Sequence, residues 1–346
     1  MKAVWLRCSA AFALIFLGAV AVPGTTLGSS PADALSACPT QALAVPATNA
    51  TPNLVRPEAI ATDSSGNLYA ADTGTSSLYR FNSSGVQTLV IPPTNATPNL
   101  VEPEGIGADG AGNIYAADIH TRTVYRFNST GTQTLAIPAT NATPNFSGIE
   151  GLAVDSAGAN IYVADRITAT IYRFNSSGTQ TMVIPATNAT PNLANPYGVA
   201  VDAAGNIYAS DSGTLSLYRF NASGSQTLAI PASAATPNFS GFLDNVAVDS
   251  AGSIYAADSS TSTVHQFNAT GTQTHAAGAT CATPNFSSPD GVAADAAGSF
   301  YVSDPATATL FHFTIAAPTT TTTAAPTTTA SPAAAKAVQA TPAFTG

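Results

Sequence analysis

The chain has 346 residues, enough for one large domain or two small ones, of which 45% are hydrophobic and only 8% charged. The formal net charge of −9, with lysine confined to Lys2 and Lys336, leaves no basic footprint for nucleic acid and no polybasic patch for anionic lipid. Short apolar runs separated by Gly, Thr, Ser, Asn and Pro point to turn-rich β structure.

The N-terminus reads as a secretory signal. Lys2 and Arg7 precede a 13-residue apolar run from Ala10 to Val22, too short to span a bilayer and suited to a signal h-region. Cleavage after Ala21, Ala34 or Ala37 fits the pattern, so residues 1–37 are assigned to a leader. The mature protein is then extracellular, either free or associated with the cell surface. Cys38 and Cys281 remain after cleavage, and an extracellular pair can form a disulfide. The fold expected below puts them near opposite ends of strands, roughly 15 Å apart. A disulfide needs Cα atoms within about 7 Å, so they are expected to be unpaired.

From Pro57 onward the sequence repeats. Copies begin at Pro57, Pro103, Ile149, Pro196, Leu243 and Pro289, at spacings of 46, 46, 47, 47 and 46 residues. In the second copy four β-like runs follow one another, "GIGAD", "NIYAAD", "TVYRFN" and "TQTLAI", divided by the turn signals "DGAGN" and "NSTGT". Four strands at this period predict a β-propeller blade. The sixth copy supplies only three strands. Its missing fourth lies at the other end of the chain, where "TQALAVPATNATPN" at 40–53 matches "TQTLAIPATNATPN" at 132–145. The prediction is an all-β, six-bladed propeller over residues 38–317, its sixth blade completed by the N-terminal strand. Closure of this kind removes an exposed seam. Residues 318–346, rich in Thr, Pro and Ala, have no periodicity able to bury a core and read as an extended or disordered tail compatible with O-glycosylation.

The stretch "PEGIGADGAGNIYAADIHTRTVYRF" resembles the NHL-repeat pattern: Pro-x-Gly-apolar-Ala-x-Asp, then Gly-Asn-apolar-Tyr-x-x-Asp, then apolar-x-Arg-Phe. The resemblance runs from Pro57 to about Thr314. The Asn common after the second Asp is missing here, and the connectors, such as "IPATNATPN", are unusually long. A looser similarity is to the gluconolactonase-like and streptogramin-lyase propellers, which carry a metal near the axis. NHL functions are diverse, so the resemblance implies the fold more than an activity.

The repeat sorts the carboxylates. Asp63, Asp109, Asp155, Asp202, Asp249 and Asp295 end the first strands and suit turn chemistry. Asp72, Asp118, Asp165, Asp211, Asp258 and Asp304 end the second strands and are expected to hold the next loop. The informative position precedes the first strand: Glu58, Glu104, Glu150, Tyr197, Asp244 and Asp290. In a propeller the first strand is innermost, so these residues predict an acidic ring at one mouth of the channel. Two carboxylates about 7 Å apart repel by roughly 2 kcal/mol at an effective dielectric of 20, so such a ring should hold protons or a cation. All-oxygen ligands favour calcium or magnesium over zinc, which makes Glu58, Glu104, Glu150, Asp244 and Asp290 the candidate metal ligands. The looser resemblance implies metal-binding residues just before Gly. Glu104–Gly105, Glu150–Gly151 and Asp290–Gly291 match it, Glu58–Ala59 and Asp244–Asn245 do not, and no blade has the family's Asn-Gly step.

Three further charged residues break the repeat in loops expected on the same face: His120, Arg122 and Arg166. With Glu104, Glu150 and Tyr197 they form a candidate rim for a polar or anionic ligand, against the plainer reading of solvated side chains. His265, His275 and His312 lack metal-ligand spacing and are expected in the core or at strand edges. Arg80, Arg126, Arg173 and Arg219 recur and are expected to partner the repeated Asp. The "NATPN" connectors are expected to surround and deepen the mouth. No Gly-x-Ser-x-Gly elbow, Cys-x-x-Cys pair or phosphate loop is present. The function expected is a non-catalytic extracellular module, monomeric, binding a protein, glycan or small molecule. The alternative is a metal-dependent hydrolase or lyase at the same mouth.

Overall fold

A computed structural model describes residues 38–315; the leader and the Thr/Pro/Ala tail lie outside the described residues. The chain forms six separate four-stranded antiparallel sheets arranged as the blades of a ring. In the first blade the strands run Pro57–Thr62, Leu68–Asp72, Ser77–Phe81 and Gln87–Ile91, from the channel outward. Thr40–Val45 pairs antiparallel with Thr309–Thr314 as the outer strand of the sixth blade. The six-bladed propeller closed by an N-terminal strand is therefore the observed fold. Among the described residues no helix is long and apolar enough to cross a membrane.

The blades cohere because both faces of each sheet are apolar. Tyr69, Ala71 and Leu78 of the first blade pack against Ile106, Ile114 and Tyr125 of the second. Equivalent layers fill every seam, including the closing one, where Ile60, Leu68 and Tyr79 meet Ala293, Tyr301 and Leu310. Hydrophobic burial is thus spent between neighbours, as in other repeat architectures.

Both Asp sets act as expected. Asp63 accepts the backbone N–H of Ser65 and Asn67 at 2.9 and 3.0 Å and the Tyr69 hydroxyl at 2.7 Å. Asp72 accepts the N–H of Thr75 at 2.8 Å and also that of Val55 at 2.7 Å, so it clamps the incoming connector as well as the outgoing loop.

Three expectations are corrected. Cys38 and Cys281 form a disulfide with Cα atoms 5.3 Å apart. Blade twist swings each outer strand towards the connector leaving the preceding blade. Thr283 N–H accordingly donates to Gln41 Oε1 at 2.6 Å beside the bridge. The recurring arginines reach across seams instead of to the repeated Asp. Arg80, Arg126, Arg173 and Arg219 donate to the carbonyls of Ser129, Ser176, Ala222 and Ala269 in the next blade, at 3.0–3.2 Å. The connectors line those seams too: Thr51 N–H donates to Gln87 Oε1 and Thr97 N–H to Gln133 Oε1. Only their last residues, such as Arg56, stand at the mouth.

Candidate functional site

Five of the six ring residues are aimed by a β-bulge; Asp290 stands ahead of its regularly paired inner strand. The pairing of first and second strands slips at Pro57/Ala59, Pro103/Gly105, Ile149/Leu152, Pro196/Val199 and Leu243/Val246. The slip falls where Glu58, Glu104, Glu150, Tyr197 and Asp244 stand. A bulge re-aims a side chain and bends its strand. Here it turns the ring residues into one cavity of about 70 Å³, lined by all six together with Arg56, Gly151 and Asn245.

The glycines after the ring residues have a steric reason. A Cβ on Gly105 would lie 2.5 Å from the Glu150 carbonyl oxygen, and one on Gly151 would lie 2.4 Å from that of Tyr197. At Gly105 and Gly151 the neighbouring inner strand comes too close for a Cβ, so these Glu-Gly steps serve the scaffold. Two serines tighten the same contacts. Ser210 Oγ accepts from Gly198 N–H and donates to the Asp244 carbonyl, both at 2.8 Å. Ser303 Oγ accepts from Gly291 N–H at 3.0 Å and donates to the Glu58 carbonyl at 2.9 Å. The other second strands carry Ala there, and that departure is the signal by which both serines were legible in the sequence.

The ring is not uniform. Glu150 is 4% exposed. Its Oε1 accepts from Arg166 Nε, while its Oε2 is buried with no hydrogen-bond partner. Burial outweighs the arginine and pushes the Glu150 carboxyl up to about 7. Asp244, 5% exposed, is pushed up to about 6 by burial, although it accepts Ser259 N–H at 3.2 Å. Glu58 and Asp290 line the cavity together across the closing seam, and each acts on the other's carboxyl. Burial, then the charges of Asp244 and Glu58, hold Asp290 well above the usual carboxylate range. Glu58 is raised as well, chiefly by burial. Tyr197 is raised by burial and by Glu150 and Asp290.

The structure thus brings Glu58, Glu104, Glu150, Tyr197, Asp244 and Asp290 together, with Arg166 on Glu150. It leaves His120 and Arg122 exposed and outside the cavity lining. Arg122 adopts φ 50°, as do its counterparts Ala169, Leu215 and Ser262, so its backbone follows the loop common to the blades. Arg56 was not anticipated. It pairs with Glu58 at 2.5 Å, and the signal was a cation at the connector's last residue, where the other blades carry none. Among the described residues no three His, Cys, Asp or Glu side chains stand together as a ready set of metal ligands. The ring offers a pair and single carboxylates. A second cavity of about 360 Å³ adjoins the mouth between blades 1 and 6. It shares Arg56, Glu58 and Asp290 and adds Val55, Gly74, Pro305 and Ala306.

No family model matches the chain, and no curated protein matches it. Among solved structures it is similar to a chain of the nidogen/laminin complex, with a TM-score of 0.53 at 20% identity, over 65% of this chain and 81% of that one. It is also similar to a gluconolactonase from Xanthomonas campestris, important in glucose secondary metabolic pathways, with a TM-score of 0.57 at 16% identity, over 76% and 86%. At these identities the likeness is one of fold.

Proposed function

We propose that the protein is a secreted, non-catalytic binding module of the NHL-repeat type whose acidic mouth takes up positive charge. The observation that carries this reading is Glu150 Oε2, a buried carboxylate oxygen without a partner in a cavity walled by four more carboxylates. Such an atom is costly unless a proton or a cation reaches it. Secretion is supported by the leader-like N-terminus and by the disulfide, which persists in oxidising compartments. A protein partner is in keeping with the fold likeness to a chain of a protein complex.

The simplest ligand of this charge is a calcium or magnesium ion. The donors fit in kind, being all oxygen. Glu58, Glu104, Glu150, Asp244 and Asp290 are the candidate ligands, but no three of them converge, so at most two would reach one ion, water would complete its shell and the affinity would be modest.

A second reading, a metal-dependent hydrolase or lyase, is favoured by the fold likeness to a gluconolactonase. The ring cavity alone, about 70 Å³, is smaller than the roughly 300 Å³ at which small-molecule sites begin, so a substrate would have to extend into the adjoining cavity of about 360 Å³. Calcium titration by calorimetry on the wild-type chain and on Glu150→Gln tests both readings. Weak stoichiometric binding, reduced in the variant and accompanied by proton release near neutral pH, supports the acidic mouth as the ligand site. Metal-dependent turnover of a lactone would overturn the non-catalytic reading.

A further inference from the structure

We infer that the mouth face receives a protein segment presenting one lysine flanked by apolar residues. This rests on the reading that the mouth takes positive charge. It adds the apolar surface around it, an independent observation. Among the described residues six large hydrophobic side chains are exposed: Val55, Val86, Val101, Ile167, Val183 and Phe242. Four of them stand on this one face. Val55, Val101 and Phe242 end connectors just before inner strands, at 57%, 41% and 54% exposure. Ile167, at 59%, tops the loop after the second strand of blade 3. They are fixed there. Ser76 Oγ donates to the Val101 carbonyl at 2.7 Å, Ser260 Oγ accepts the Phe242 N–H at 2.9 Å, and the Ile167 side chain rests on Gly148. Exposed apolar groups gathered around a polar centre mark an interaction face more often than a solvated one.

Charge selects the occupant of the centre. Glu58, Glu102, Glu104, Glu150, Asp244 and Asp290 face only Arg56, Arg122 and Arg166 on this side. The excess is negative, and the unpartnered Glu150 Oε2 lies within it. An ammonium group suits the cavity better than a guanidinium. Its three donors diverge, and the acceptors come from separate blades, whereas a planar fork matches a single carboxylate. A cavity of about 70 Å³ admits the head of a lysine and not a folded ligand. The adjoining cavity, floored by Val55, Gly74, Pro305 and Ala306, receives the flanking apolar residue.

The test is selection of disulfide-constrained random heptapeptides, displayed on phage, against the full chain, with calcium titration alongside. Enriched loops are expected to carry a lysine next to an apolar residue. Norleucine in place of that lysine should weaken binding at least tenfold. Asp290→Asn and Val55→Ser should each weaken it at least fivefold, while Val183→Ser, exposed on an outer strand away from the mouth, leaves it unchanged. Loops enriched without lysine, or no enrichment at all, would overturn the inference. Calcium binding that depends on Glu150, without any lysine loop, overturns the protein partner and leaves the acidic mouth standing. Loss of both removes the acidic mouth as a site.

Discussion

Glu58 and Asp290 meet in one cavity across the seam that closes the ring, their strands joined by Ser303 Oγ, which donates to the Glu58 carbonyl at 2.9 Å and accepts from Gly291 N–H at 3.0 Å. Burial raises both carboxyls, and each acts on the other, so the two titrate together. Glu150 and Asp244 stand in the same cavity with values of about 7 and about 6. Burial thus favours protons on these carboxyls up to near neutrality, and a cation binding there would displace them.

Stability should carry this signature. A carboxyl whose folded value is raised binds its proton more tightly folded than unfolded. Its contribution is fully present below the unfolded value, near 4.5 for Glu150, and is lost as pH rises through about 7. Glu150→Gln is therefore expected to match wild type at pH 4.5 and to exceed it at pH 8, by up to about 3 kcal/mol for a shift of two to three pH units. Thermal unfolding of both proteins across that range measures it. A difference that does not grow with pH sinks the argument.

His265 stands where Tyr79, Tyr125, Tyr172 and Tyr218 stand in blades 1 to 4. Those tyrosines bond the threonine four residues earlier, as Tyr218 does Thr214 at 3.1 Å. The shorter His265 leaves Thr261 Oγ1 and its own Nε2 buried without partners, and burial lowers it to about 4. A tyrosine has room beside Phe239, since Tyr172 packs edge-on against Phe146 in blade 3 much as His265 does against Phe239. His265→Tyr should stabilise the protein by about 1–3 kcal/mol. It should also remove a loss of stability between pH 6.5 and 4, because a histidine with a depressed value costs stability as its unfolded form protonates. Denaturant midpoints at pH 7 and pH 5 would show both effects.

The disulfide lies at the seam between blades 5 and 6, where the arginine clamp is missing because Gln266 replaces it. At the equivalent place in other seams Asn49, Asn95 and Asn188 donate to the carbonyls of Gly85, Gly131 and Gly224 at 3.3–3.5 Å. Replacing both cysteines by serine should cost about 2–5 kcal/mol. Pairing Cys38→Ser with Cys281→Asn should recover about 1 kcal/mol of that through the hydrogen bond used elsewhere. Equal stability of the two double variants in urea would contradict the equivalence.

The inner-strand glycines can be separated from the rest by alanine. Gly151→Ala places a Cβ 2.4 Å from the Tyr197 carbonyl and should cost at least about 2 kcal/mol. Gly278→Ala meets nothing within 4 Å and should be nearly neutral. Paired melting curves decide it.

The sequence by itself determined the number of blades, their strand order and the closure by Thr40–Val45. It also determined the turn role of both Asp sets. All of these rest on local chemistry written six times: an Asp, a Gly and an alternating apolar run act on neighbours a few residues away, so repetition exposes them. The ring position was legible for the same reason. Only the tertiary structure decided which ring members are buried, that Glu58 and Asp290 meet across the closing seam, that Glu150 keeps one oxygen unpartnered and that Arg56 belongs to the mouth. It also decided that the Glu-Gly glycines answer to the next blade and that Cys38 reaches Cys281. Each of these depends on how one blade leans against the next. Blade twist and the bulges at five of the six inner strands set that approach, and dehydration and close contact act through space, between residues whose separation along the chain carries no trace of it.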